Sequence, residues 1–407
     1  MLADAMFTHS WEFKMKVYLD GAANTPLDKD VFKAMKKVMP GYFGNSFSTH
    51  SFGIKSMQIM EESRNKVAKA LGTDIDNVYF TSGATEANNW VLKSLYLKEL
   101  EQRKNPKHVK RNKIIISAIE HSSIIHCCKD LELLGAEIVY LKPNHLGRIV
   151  STDLINIITE DVLVVAVMAV NNEIGTKNDI PRLAKIAHKN GSYFLSDCTQ
   201  FLSYGGKYVK IGKIFKDADY LTFSGHKIYG PTGIGCLIVQ NNAPIYSFIS
   251  GGAQEQGKRG GTSNLAGIVG IGEALEKLSQ RKDYERYEKL YNYLSLKCKE
   301  NPEVHINFKP DHKNIVNVSL SLSDNQRKAI YSLAQEFDWH GIACSESSAC
   351  DAVPTEDGEK IPSHVLVACG LTKEQINSSV RLSFTRFTST KDIDYFFKVV
   401  KKIMKIV

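Results

Sequence analysis

The chain has 407 residues, of which 43% are hydrophobic, 24% charged and 9% aromatic, the make-up of an ordinary soluble globular protein and not of a fibrous or disordered one. Its 52 basic and 44 acidic residues leave a net charge of +8, and no apolar run reaches the roughly 18 residues needed to span a bilayer. At this length the chain exceeds the usual single core, which predicts two domains or one large α/β domain with a smaller partner.

The opening "MLADAMFTHSWEFK" lacks a charged start followed by an apolar core, so no secretory signal is expected and the cytoplasm is the expected compartment. From about residue 55 helical and strand-like stretches alternate. "IMEESRNKVAKALG" has helical apolar spacing and a glycine stop, and "NVYFTSG" reads as a short strand leading into a turn. The basic run "KELEQRKNPKHVKRNK" (98–113) is read as a solvated helix end and loop in preference to a nucleic-acid contact. Strand-like runs recur at "KIIISAIEHSS", "AEIVYLK", "DVLVVAVMAVNNEIG", "SYFLSDCTQ", "DYLTFSGHK" and "GCLIVQ", which together imply a mainly parallel sheet covered on both faces. After "GGTSNLAGIVGIGEALEKL" the composition changes to long charged helices, which places a domain boundary near residue 270.

Ligands bind beyond the carboxyl ends of the strands in such sheets. The polar clusters fall there, so one sheet edge is expected to collect Thr85, His121, Asn172, Asp197, Gln200 and Lys227. A lysine at a strand end in a dry cleft can lose its charge and condense with an aldehyde. Pyridoxal phosphate is the cofactor that uses such a lysine, and Asp197 fits the acidic partner of its ring nitrogen. "TSGATE" offers small residues and a hydroxyl at a strand-to-helix turn where an anion is favoured, with Ser224 and His226 beside the lysine as further phosphate candidates. His121 is placed to stack on a planar ring and pass protons.

None of the eight cysteines falls into CxxC spacing, so neither a disulfide framework nor a zinc site is expected. "CSESSACDAVPTEDGEKIPSH" reads as a loop, and from spacing alone either Cys344 or Cys350 fits a loop nucleophile. Arg381, within the alternating strand "SSVRLSFTRF", fits either a clamp for a substrate carboxylate or a structural ion pair.

Taken in order, "VYLDGAANTPL", "TSGATEANN", "AIEHSS", "VNNEIGT", "SDCTQ", "SGHKIYGPTGIG", "GGAQEQGKRGGTSN", "SSAC" and "SVRLSFTRFT" resemble the cysteine desulfurases, class V aminotransferase-like enzymes that use pyridoxal 5'-phosphate. The resemblance implies an α/β fold of the fold type I transferases. Residues 25–270 would form a large cofactor domain; residues 1–24 and 271–407 would form a smaller α+β domain carrying the cysteine loop. It implies that Lys227 joins the cofactor aldehyde, that Asp197 pairs with the ring nitrogen and that His121 stacks on the ring. Ala84, Thr85, Ser224, Gly225 and His226 would hold the phosphate, Asn172 and Gln200 the phenolic oxygen, and Thr262 would reach a phosphate across a dimer interface. Cys350, which follows "SSA", matches the nucleophile and Cys344 does not; Arg381 and Asn45 match the residues that bind the substrate carboxylate.

The implied reaction converts L-cysteine to L-alanine and leaves a persulfide on Cys350 for an acceptor protein serving iron-sulfur clusters, thio-modified tRNA or DNA phosphorothioation. A homodimer is implied, with no membrane and no direct nucleic-acid binding. The competing readings are a selenocysteine lyase or cysteine sulfinate desulfinase, and a catalytically lapsed sulfur-relay scaffold. Gln256 and Gly260 depart from the arginine and serine common at those positions, and Cys198 replaces the alanine of the usual Asp-Ala-Thr-Gln pattern, where a space-filling role is expected.

Overall fold

The computed structural model describes residues 17–346 and 361–405. Seven strands make the main sheet: β2 (Val78–Thr81), β3 (Lys113–Ser117), β4 (Glu137–Leu141), β5 (Val162–Ala166), β6 (Tyr193–Asp197), β7 (Tyr220–Ser224) and β8 (Gly235–Val239), in the order β2-β8-β7-β6-β5-β3-β4. Five of these, from β3 to β7, pair in parallel, and β8 runs antiparallel to both β7 and β2. Every expected strand of this region is present. The exception to parallel pairing follows from the "YGPTGIG" turn, which folds the chain straight back beside β7.

Continuous apolar strands need cover on both faces. Here Ile115, Val165, Phe194, Leu221 and Ile238 enter one core, while their neighbours Ile114, Val164, Leu195, Tyr220 and Leu237 enter a second core on the opposite face. The helix Ala84–Gln102 covers one face, and its Trp90 and Tyr96 are fully buried in that second core. The opposite face is covered in part by the helices Ser51–Leu71 and Leu265–Gln280. The first of these ends at Gly72, which adopts the left-handed conformation that its motif predicts (φ 71°).

A third core gathers Val17, Leu19, Leu290, Leu294, Val316, Val318, Val380, Leu382 and Phe396. Its sheet has the antiparallel order β12-β10-β9, from β9 (Val304–Ile306), β10 (Ile315–Leu320) and β12 (Ser379–Ser383). The short strand β1 (Val17–Tyr18) pairs in parallel with β11 (Ile342–Ala343). Leu278 belongs to the main core and Tyr287 to this third one, so the change of core falls beyond the helix Leu265–Gln280 and later than residue 270.

The basic run behaves as a helix end followed by turns. Glu99, buried near the end of the helix, accepts from the Arg103 side chain and the Arg111 backbone N–H and is hydrogen-bonded to His108. Among the described residues no helix is long and apolar enough to cross a membrane.

Candidate active site

The carboxyl ends of β2, β3, β5, β6 and β7 open on a cavity of about 210 Å³. Ten of the residues singled out from sequence line it: Ala84, Thr85, His121, Asn172, Asp197, Gln200, Ser224, His226, Lys227 and Arg381. Ala22, Ala23, Met168, Val170 and Thr199 complete its wall.

Lys227 closes the one-turn helix Gly225–Lys227 that follows β7. Its Nζ donates to the carbonyl of Ala22 at 2.7 Å and to that of Ala23. Two contacts fix this turn: the carbonyl of His226 accepts from both the backbone N–H and the hydroxyl of Thr25, and the Thr25 Oγ1 accepts from the Tyr229 N–H. Tyr229 itself sits at φ 63°, a left-handed conformation that costs a bulky residue roughly 1–2 kcal/mol. Its buried hydroxyl, bonded to the Arg386 N–H and the Tyr287 hydroxyl, offsets that cost.

Asp197, at the end of β6, is buried and accepts from the Asn88 amide at 3.0 Å and the Thr199 N–H at 2.9 Å. Asn88 also donates to the Ser123 hydroxyl and accepts from Thr222. The Ser123 backbone N–H donates to Nδ1 of His121, so a neutral His121 ring carries its proton on Nε2. One hydrogen-bonded chain therefore orients both His121 and Asp197.

The helix Ala84–Gln102 begins at Gly83, which has no side chain to cap it, so its N-terminus faces the cavity as an anion site. The Ala84 N–H donates to Ser224 Oγ at 2.8 Å, which leaves the hydroxyl proton of Ser224 for another acceptor. Burial, then the charge of Lys227 and His121, pulls His226 down to about 4, so it is neutral at pH 7. Gly225, expected beside the phosphate, is not among the residues lining the cavity: its N–H is donated to the Ile234 carbonyl, and a Cβ there would stand 3.0 Å from the Pro231 carbonyl. Its smallness serves the close packing of the turn.

Arg381 projects from β12 with its side chain 2% exposed. Its Nη2 donates to Asp20 at 2.7 Å and its Nη1 to the Asn172 carbonyl at 3.1 Å, while its Nε has no acceptor among the described residues. It therefore forms a buried ion pair and also lines the cavity.

Two expected residues stand elsewhere. Asn45 is exposed and binds the Phe47 N–H, and Thr262 is exposed beside a separate cavity of about 140 Å³ lined by Ser82 and Arg259. Cys350 lies outside the described residues. Cys344 is described, and burial pushes its thiol well above the ordinary value, a poor setting for a nucleophile. Cys198 is fully buried in the main core. Gln256 holds the Tyr79 hydroxyl and the Asp76 carbonyl, and Gly260 packs so closely on Gly251 that a Cβ would come within 2.7 Å of its Cα. Sequence reasoning missed Asn88, Asp20, Thr199 and Glu120. Asn88 alone had a local signal, being a polar residue on the buried side of the helix that "TSGATEANN" opens.

The cavity brings together groups that suit a cofactor. Lys227 and Asp197 face it together, the Thr199 hydroxyl is buried without a partner among the described residues, and the open helix N-terminus suits a phosphate. Among the described residues no group of three His, Cys, Asp or Glu side chains is placed to hold a metal. The residues present therefore fit a phosphorylated pyridine aldehyde.

The aminotransferase class-V family matches residues 17–396, and the chain belongs to that family. Within it the similarity is to cysteine desulfurases. The cysteine desulfurase IscS of Dictyoglomus turgidum (strain DSM 6724 / Z-1310) is 35% identical over 397 residues, 96% of this chain and 95% of the relative. A solved structure described as a NifS-like protein superposes with a TM-score of 0.83 at 28% identity, covering 97% of this chain and 100% of its own. Another, described as SspA in complex with cysteine, gives 0.76 at 28% identity, covering 92% and 100%.

Proposed function

We propose that this protein is a pyridoxal-phosphate-dependent cysteine desulfurase. The observation that carries the reading is the single cavity in which Lys227, Asp197, His121 and the open helix N-terminus face Arg381. When bound, the cofactor supplies an electron sink for the α-carbon of an amino acid.

The chain's own residues do the rest. Asp197 holds the ring nitrogen, oriented by Asn88 and Thr199. Ser224, Thr85, His226 and the first N–H groups of the helix Ala84–Gln102 hold the phosphate, and Asn172 and Gln200 the phenolic oxygen. Lys227 would anchor the cofactor and, once released by the incoming substrate amine, its Nζ, which now donates to the carbonyls of Ala22 and Ala23, would take the α-proton of L-cysteine; His121 would pass protons at the ring face. Arg381 clamps the substrate carboxylate, with Asn45 as a second contact. The sulfur then leaves the substrate's β-carbon for the Cys350 thiolate, so that L-cysteine and a thiol become L-alanine and a persulfide, which passes to an acceptor protein.

We propose further that the enzyme works as a homodimer in the cytoplasm, its two domains divided by the change of core between Leu278 and Tyr287. Thr262 lies on the surface, outside its own chain's cavity, where a second copy would receive it; exposed Phe32, Phe43, Phe47 and Phe52 offer apolar surface for such a contact. The test is incubation of the purified enzyme with L-cysteine and a thiol reductant while alanine and sulfide are measured. Cys350→Ser should keep the cofactor absorbance and release no sulfide; sulfide release at the parent rate would overturn the reading.

A further inference from the structure

Gln200 lies in the four-residue helix Thr199–Leu202 that follows β6, and its side chain lines the cavity. Its Nε2 donates to the Ala22 carbonyl at 3.0 Å. An amide nitrogen carries two protons, so one is left to face the cavity as long as the amide keeps this orientation. Turned over, the amide would present an acceptor there and set its oxygen against the Ala22 carbonyl.

What fixes that orientation lies behind the cavity wall. Ser203, buried just after this helix, donates from its Oγ to the Gln200 carbonyl at 2.8 Å and reaches Gln200 Oε1 at 3.4 Å. A hydroxyl has one proton to give. Here it is committed to Gln200, because the same Oγ accepts from Nδ2 of Asn314, 3.0 Å away and 111 residues further along the chain. Asn314 is buried just before β10, and its carbonyl accepts from the Phe384 N–H, just after β12, at 2.7 Å. The ring of His312, two residues earlier, stacks on Tyr204 with centroids 4.3 Å apart, which packs this segment against the residue that follows Ser203. Neither Ser203 nor Asn314 lines the cavity. Proton donation therefore runs one way, from Asn314 to Ser203, from Ser203 to Gln200, and from Gln200 to Ala22. We propose that Ser203 and Asn314 are positioning residues that hold the Gln200 amide with an N–H toward the phenolic oxygen of the cofactor. The inference rests on the reading that Gln200 meets that oxygen.

The test follows the visible absorbance of the holoenzyme against pH and titrates the apoenzyme with pyridoxal phosphate. It compares the parent with Ser203→Ala, Asn314→Ala, Gln200→Ala and the double variant Ser203→Ala with Gln200→Ala. An N–H donated to the phenolic oxygen favours its ionised form, so losing that bond should move the pH midpoint of the visible band upward. In Ser203→Ala the midpoint should rise by about half a unit to one unit and cofactor affinity should fall by about threefold to tenfold, the range expected for one hydrogen bond. Asn314→Ala leaves the Ser203 hydroxyl in place but free to turn, so it should give a smaller shift in the same direction. In the double variant the Ser203 substitution should add nothing to the shift caused by Gln200→Ala alone. An unshifted midpoint in Ser203→Ala, or an equal shift from that substitution with and without Gln200, overturns the proposal if Gln200→Ala itself moves the band. An unshifted midpoint in Gln200→Ala instead removes the reading that Gln200 meets the phenolic oxygen. A purely structural role for Ser203 and Asn314 would lower the urea-unfolding midpoint and leave the band where it is in the parent, and that result also counts against the proposal.

Discussion

The cavity wall that carries Asp197, His121 and Lys227 is built differently from the wall that carries Arg381. The first is a row of strand ends in one sheet, each functional side chain standing within a few residues of the strand that places it. The second is Arg381 in β12, held by Asp20 after β1, 361 residues away, and by the backbone of Ser345 after β11, neither of which lines the cavity. The walls meet at Gly21–Asn24, where the Ala22 carbonyl takes hydrogen bonds from Lys227 and Gln200, and the Ala22 N–H binds Ser383. A Cβ on Gly21 would sit 2.9 Å from Thr385 and 3.0 Å from the Phe384 carbonyl, so a side chain at Gly21 would force its neighbours to shift. One wall is thus set by the strand ends of a single sheet, the other by a few long-range polar contacts.

If the sheet-edge wall carries the chemistry, the largest effect comes from its lysine. Lys227→Ala should lose the absorbance of the lysine-bound cofactor and at least about 10³-fold in activity, a loss of the size expected when a proton-transferring group is removed. Retention of the visible band by the variant would sink the assignment. Asp197→Asn comes next, with a loss of roughly 10²-fold in kcat/KM. The substituted amide has to face the Asn88 amide, which is itself fixed by its bond from Thr222, so weaker cofactor binding should accompany the loss. Titration of the apoenzyme with pyridoxal phosphate measures this, and unchanged affinity together with unchanged activity would refute it.

Those two positions were legible because each motif sits directly after an apolar run, and a period of two followed by a turn is a local pattern. Ala84, Thr85, Ser224 and His226 were legible for the same reason. Asp20 and Glu120 were not. Asp20 acquires its partners only through the registers of β1 with β11 and β10 with β12, which no local pattern encodes. Glu120 reads from sequence as one more polar residue of "AIEHSS", although the fold buries it completely. The helix Leu265–Gln280 packs into the main core across residue 270, where the composition changes, because core membership follows apolar packing and not local composition.

Arg381→Lys probes the second wall, and its effect should be smaller than either of the first two. A lysine has no planar fork with which to keep Asp20 and the Asn172 carbonyl while also meeting a carboxylate. KM for L-cysteine should rise by about tenfold, with cofactor absorbance preserved. A fall in cofactor content without a change in KM would show that the two walls are not separable in this way.

The smallest effect lies beneath the first wall. Burial, reinforced by the nearby charge of Asp197, pushes Glu120 up to about 8 from its ordinary 4.5, against the opposing pull of the Ser117 hydroxyl and the Met168 N–H. Between those two values the folded protein keeps a proton that the unfolded chain has already released. The stability contributed by this group is therefore fully present below about 4.5 and is lost as the pH rises to about 8. Glu120→Gln carries no charge at any pH and keeps an oxygen to accept from Ser117 and Met168. Its stability relative to the parent should rise between pH 5 and pH 8, by more than about 1 kcal/mol in urea unfolding. Parallel pH profiles for the two proteins would mean that Glu120 is ionised in the folded state, which would put a second negative charge next to Asp197 at neutral pH.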